Sequence, residues 1–171
     1  MKKILILVAV AVMLLIAGCT GREKEKQIQP LIDNISQYAS MTGEVAAGKP
    51  QTPMKVFIIQ NEIDDWSHTD TGKYICSPIY FDLPEELKAK TPEELNTLIK
   101  LKYYYVLIQG RGKIYDAQVD ITVIDIASGK IIDKEHQKCY LKYIVEDNGE
   151  MYQLLPEDVV KIYVEKRIGE D

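Results

Sequence analysis

Residues 99–123 read IKLKYYYVLIQGRGKIYDAQVDITV, and the period of hydrophobicity along them decides the fold. Ile99, Leu101, Tyr103, Tyr105 and Leu107 hold the odd positions, with Lys100 and Lys102 between the first of them. Side chains alternate across a strand, so a period of two predicts a strand with one buried face. Gln109 to Lys113 carries Gly110 and Gly112 and predicts a turn. Beyond it Tyr115, Ala117, Val119, Ile121 and Val123 alternate with Asp116, Gln118, Asp120 and Thr122. Two alternating runs joined so closely predict an antiparallel hairpin.

Downstream, Ala127-Ser128-Gly129 predicts a second turn into a strand from Lys130 to Tyr143. Lys134, Glu135, His136, Gln137 and Lys138 place charge on both of its faces, which suits an edge strand or a solvated one. Asp147 to Glu150 reads as a further turn. Pro156 to Gly169 opens with Glu157 and Asp158, ends with Lys166 and Arg167, and has Gly169 to stop it, the charge order of a helix. Its run Val159 to Val164 is β-branched and pulls toward strand.

Upstream, Val56-Phe57-Ile58-Ile59 is an unbroken β-favouring run that predicts a central strand buried on both sides. A long polar loop, residues 61–73, leads to a second strand from Tyr74 to Phe81. Pro84 to Leu87 and Pro92 to Leu95 both spell Pro-Glu-Glu-Leu and predict helix starts, with Thr91 and Glu94 forming a capping box. The last three strands have no crossover helices between them, which argues against a doubly wound sheet. The expected fold for 54–171 is a single α+β domain: an antiparallel sheet of about five strands with helices packed on one face.

The chain has 171 residues, 46% hydrophobic and 27% charged, the balance of one globular domain. Its formal charge is −5, and −7 once Lys2 and Lys3 are set aside with a leader. No stripe of Lys and Arg with interleaved aromatics appears, so nucleic acid is not an expected partner.

Residues 1–18 begin with Lys2 and Lys3, continue as an apolar run from Ile4 to Ile16, and end in Ala17-Gly18 before Cys19. That is the three-part grammar of a secretory leader, and the apolar run is shorter than the ~20 residues of a spanning helix. Leu15-Ile16-Ala17-Gly18-Cys19 resembles the lipobox of bacterial lipoproteins. The resemblance implies cleavage before Cys19, lipidation of its thiol and attachment to a membrane in the cell envelope. Thr20, where Asp could stand, implies outer-membrane sorting and a periplasmic orientation if the cell has two membranes. Residues 19–53 then form a tether. Gly21 to Lys26 is hydrophilic and expected to stay solvated. Ile28, Leu31, Ile32, Ile35 and Tyr38 make a short amphipathic helix that docks on the domain or, as the alternative, meets a partner or a membrane surface, and residues 43–53 are a linker broken by Gly48, Pro50 and Pro53.

Signals of chemistry are sparse. Cys76 and Cys139 are the cysteines left beside Cys19, and in an oxidising compartment a disulfide between them stands level with a pair of buried thiols. His68 and His136 lack companions at metal-ligand spacing, and the acidic loop from Asp64 to Asp70 lacks the alternating order of a calcium loop. No nucleophile elbow or S-x-x-K motif occurs. No metal, cofactor or catalytic residue is therefore assigned. Trp66 and Tyr104 are the candidate binding surface, because aromatic anchors dominate recognition patches and Tyr104 points away from Tyr103 and Tyr105; the competing readings are a core position for Trp66 and packing under a helix for the tyrosines. The expectation is a non-enzymatic envelope lipoprotein that binds a protein or another envelope component. The alternative is a small-molecule or glycan binder with a cleft lined by Tyr and Trp66.

Overall fold

The computed structural model describes residues 23–64, 69–108, 114–140, 144–145, 151–152 and 156–168. Residues 23–27 are helical and exposed, so the stretch expected as a plain solvated tether carries local structure. Two short helices follow, α1 (Gln29–Ile32) and α2 (Ile35–Ser40). Then come β1 (Val56–Ile63), β2 (Asp70–Cys76), α3 (Pro78–Asp82) and a 3-10 turn over Glu85–Leu87. The long strands β3 (Thr97–Ile108), β4 (Ile114–Asp125) and β5 (Lys130–Tyr140) complete the main sheet. A two-stranded ribbon of β6 (Ile144–Val145) and β7 (Met151–Tyr152) precedes α4 (Pro156–Ile168).

The five-stranded sheet has the order β2-β1-β3-β4-β5. β3, β4 and β5 form the antiparallel meander that the alternating runs predict, and β5 is an edge. The sheet is nonetheless mixed, because β1 lies parallel to β3, with Val56 beside Thr97 and Gln60 beside Leu101. The segment from β2 through α3 is the crossover that a parallel pair requires. The predicted second strand ends early: Pro78 lacks the N–H a ladder needs and instead takes the first position of α3, carrying Tyr80 and Phe81 into a helix. The intervening loop is also shorter than expected, since β1 runs to Ile63 and β2 starts at Asp70. Neither Pro-Glu-Glu-Leu segment becomes an α-helix. Glu94 does reach back to the Lys90 N–H, at 2.8 Å, but Thr97 enters β3 before a helical nucleus can propagate.

Val56, Phe57, Ile58 and Ile59 are all fully buried, as a strand covered on both sides must be. On one face Phe57 lies beside Leu98, which pairs with Ile124. Leu31, Ile35 and Tyr38 of the helical stripe are buried in the core, and Tyr38 meets Phe57 edge-on with ring centroids 6.0 Å apart. Tyr80 of α3 meets the same ring at 5.3 Å. On the other face Tyr163 and Val164 of α4 close over Ile99 and Val123, around a cavity of about 40 Å³. Helices thus cover both faces of the sheet, which corrects the expectation of a single covered face. A strand that is apolar at four consecutive positions cannot be shielded from one side alone.

The β1–β3 ladder stops at Gln60 and Leu101, and a side chain continues it. Asn61, 1% exposed, accepts from the Tyr103 N–H at 2.7 Å and donates to the Tyr103 carbonyl at 3.0 Å. Its amide imitates a peptide group where β1 bulges toward β2. Asn61→Ala leaves one buried donor and one buried acceptor unmet, so the expected loss is about 2–6 kcal/mol in urea-induced unfolding, at about 1–3 kcal/mol per orphaned group. A loss below about 0.5 kcal/mol would show that water replaces the amide at no net cost.

Candidate functional site

Tyr104 lies on the half of the sheet face that α1 and α2 leave open. Alternation along β3 puts Lys100, Lys102 and Tyr104 on the side opposite Ile99, Leu101 and Tyr103. Register then brings Gln118, Asp120 and Thr122 of β4, and Lys134, His136 and Lys138 of β5, to the same face. Lys100 marks the boundary of the covered half. Its Nζ donates to the carbonyls of Ala39 at 2.6 Å and Met41 at 3.1 Å, satisfying the C-terminal end of α2. It also sits 5.6 Å from the centre of the Tyr74 ring.

The centre of the open half is a three-strand polar chain. Tyr104 Oη donates to Asp120 Oδ2 at 3.0 Å, and His136 Nδ1 lies 2.6 Å from Asp120 Oδ1. An ionised carboxylate can only accept, so Nδ1 carries the proton and Nε2 is the second polar atom of a ring whose side chain is 46% exposed. Burial alone would raise the Asp120 carboxyl, but hydrogen bonds from His136 and Tyr104 and the charges of His136 and Lys134 outweigh it and hold it below the usual aspartate value. The Tyr104 phenol goes the other way, to about 12, through burial first and then through its bond to Asp120. It therefore keeps its proton at neutral pH. Lys102 Nζ stands 5.3 Å from the centre of the Tyr104 ring.

This surface presents an oriented imidazole, a hydrogen-bonded phenol and exposed ammonium groups. Lys102, Lys134 and Lys138 are exposed around Asp120, with Asp70 contributing a second negative charge from the β2 side. Among the described residues no group of three or more His, Cys, Asp or Glu is placed to hold a metal ion. A groove of about 400 Å³ opens elsewhere, between Ile79, Leu83 and Leu87 on one side and Lys161 and Val164 of α4 on the other. Among the described residues neither Tyr nor Trp lines that groove.

The structure sorts the sequence candidates unevenly. Tyr104 is joined to Asp120 and His136, which sequence reasoning had left unconnected. Trp66 and His68, most of the acidic loop, and Cys19 lie outside the described residues. Of the two cysteines for which a disulfide and a pair of buried thiols stand level in the sequence, Cys76 is a free thiol on β2, and Cys139 belongs to β5 at the opposite edge of the sheet. Four strand spacings of ~4.8 Å separate them by roughly 19 Å, against a Cα limit of about 7 Å for a bridge. Burial, aided by the negative charge of Glu25, pushes the Cys76 thiol up to about 12.

Two outcomes are expected. Cys76 is protonated at neutral pH and reacts with iodoacetamide only on unfolding; rapid labelling in the native chain, seen by peptide mass mapping, would contradict this burial. Asp120, with its folded pKa lowered, contributes stability that is fully present above the unfolded value of about 3.9 and lost as pH falls through the folded one. The stability gap between wild type and Asp120→Asn should narrow below about pH 4. A gap that ignores pH in urea titrations would remove the ionic role of Asp120. Comparison with known family models, curated proteins and solved structures returns no match for the chain, so the site is read from its own chemistry.

Proposed function

We propose that the chain is a non-enzymatic envelope lipoprotein, anchored through lipid on Cys19, whose domain binds a protein or another envelope component over the open sheet face. The observation that carries the location is Leu15-Ile16-Ala17-Gly18-Cys19, following a basic start and an apolar run. Acyl chains on a single cysteine give stable anchoring, because each buried methylene contributes ~0.8 kcal/mol. No helix among the described residues is long and apolar enough to cross a membrane. The observation that supports a binding role is the chain Tyr104-Asp120-His136, three strands wide and open to solvent. Its phenol has its proton committed to Asp120, and the imidazole has its protonated nitrogen committed to the same carboxylate, an arrangement suited to fixing polar contacts.

Intact-mass analysis of the membrane fraction tests the anchor. The expected species begins at Cys19 and carries added acyl mass, while Cys19→Ala stays at full length and carries none. A native chain retaining residues 1–18 with an unmodified Cys19 thiol would end the proposal. Stoichiometric recovery of a partner from detergent-solubilised envelopes, weakened by Tyr104→Ala, is expected of the binding role; recovery unaffected by that change would move the surface elsewhere.

A further inference from the structure

Asp133-Lys134-Glu135-His136-Gln137-Lys138 alternates in charge at the period of a strand, and register sorts the signs onto two faces. Lys134, His136 and Lys138 stand beside Thr122, Asp120 and Gln118, whereas Asp133, Glu135 and Gln137 stand beside Val123, Ile121 and Val119. On the acidic face Asp133 accepts from the Tyr163 hydroxyl of α4, and Glu135 accepts from the Gln137 amide. On the basic face Lys134, His136 and Lys138 are exposed. β5 ends the sheet. Its outer edge takes one parallel bridge from the linker: the Ala46 N–H donates to the Ile131 carbonyl at 2.9 Å and the Ile131 N–H to the Glu44 carbonyl at 3.0 Å. Among the described residues no strand pairs with that edge beyond Ile131.

We propose that the outer edge of β5, from Asp133 to Tyr140, takes up an extended segment of a partner protein as a further strand, with acidic residues at every second position on the lysine face and basic or neutral polar residues between. The proposal rests on the reading of the domain as a binding module and names the chemistry of its partner. Residues two apart on a strand are ~6.8 Å apart, and directly opposed side chains ~5 Å apart, so each acid of the added strand falls beside one of Lys134, His136 and Lys138. Main-chain hydrogen bonds supply affinity in strand addition and the alternating side chains select the partner. Pairing of two copies is disfavoured. A two-fold antiparallel contact brings like face to like face, setting Lys134, His136 and Lys138 against the same residues. A uniform polyanion fits only half the pattern, because its second face would meet Asp133 and Glu135. Asp120, itself bonded by Tyr104, holds His136 from the neighbouring strand, so the central position of the row is already oriented.

The test titrates the full chain in detergent micelles with a short fluorescent peptide alternating Glu and Lys. Controls are a peptide of the same composition with its Glu and Lys in separate blocks, and inorganic polyphosphate. The alternating peptide is expected to bind at least roughly tenfold more tightly than either control, and to slow hydrogen exchange at the amides of residues 133–140. Lys134→Glu combined with Lys138→Glu should weaken it by roughly tenfold or more. Lys134→Gln combined with Lys138→Gln, a milder change at the same exposed sites, should give a smaller loss in the same direction. Equal binding of polyphosphate, indifference to both double variants, or absence of protection along β5 each overturns the proposal. The acyl mass on Cys19, read on the same sample, separates the two readings. A lipidated chain that ignores the peptide overturns strand docking alone, and an unlipidated chain that binds it overturns the anchor alone.

Discussion

The double-sided burial of β1 is the constraint from which the rest of the architecture follows. Val56, Phe57, Ile58 and Ile59 leave no apolar surface in water, so layers must close on both faces of the sheet at that strand. The stripe from Ile28 to Tyr38 and the ring of Tyr80 supply one layer, meeting at Phe57; α4 supplies the other. The covering helices are short, and the first layer ends where Lys100 ties off α2. Among the described side chains, the remaining width of that face, over β3, β4 and β5, carries polar residues, Lys102, Tyr104, Gln118, Asp120, Lys134, His136 and Lys138. The open surface is therefore the part of a five-stranded sheet that two short helices cannot reach.

A single extra residue decides what that surface displays. Between β4 and β5 the pairs Asp125–Lys130 and Ile124–Ile131 continue as Val123–Asp133, so Ile132 is unpaired and the strand bulges there. Without it Asp120 would stand opposite Glu135, two carboxylates side by side. The slip of one residue puts His136 opposite Asp120 instead and turns Lys134 and Lys138 to the open side. Ile132, displaced by the bulge, helps line the small cavity under α4, where Gly48 approaches so closely that a Cβ there would lie 2.8 Å from the isoleucine methyl. Packing on one face and charge on the other are set by the same irregularity.

This explains which parts could be read in the sequence. The meander was legible because Ile99, Leu101, Tyr103, Val119, Ile121 and Val123 alternate without exception, and a period of two has one structural meaning over so many residues. The C-terminal helix was legible from its terminal charges, which outweighed a β-branched middle. The parallel pairing of β1 with β3 was hidden, because burial on both faces removes the alternation that would report a neighbour's direction. The end of β2 was misread because Tyr80 and Phe81 look like strand residues until Pro78 is given its weight. Tyr104 was found by alternation alone. Its partners Asp120 and His136 were not, since joining them needs the register of two hairpins, and the second register contains a bulge that no turn residue announces.

Charge on an edge strand is commonly read as protection against unwanted pairing, and the pattern in β5 shows why protection and recognition are compatible. A mixed-sign edge raises the free energy of every neighbour whose charges do not alternate in the complementary sense, including a copy of itself. It does not do so for a neighbour that matches. With a formal charge of −5 the whole chain tends to repel acidic partners at long range, and screening confines that repulsion to about 8–10 Å at physiological salt. Inside that distance Lys102, Lys134 and Lys138 dominate, with Asp120 already shared between His136 and Tyr104. An acidic strand that approaches from elsewhere meets a negative protein; one that arrives along β5 meets a row of cations backed by an edge that offers hydrogen bonds.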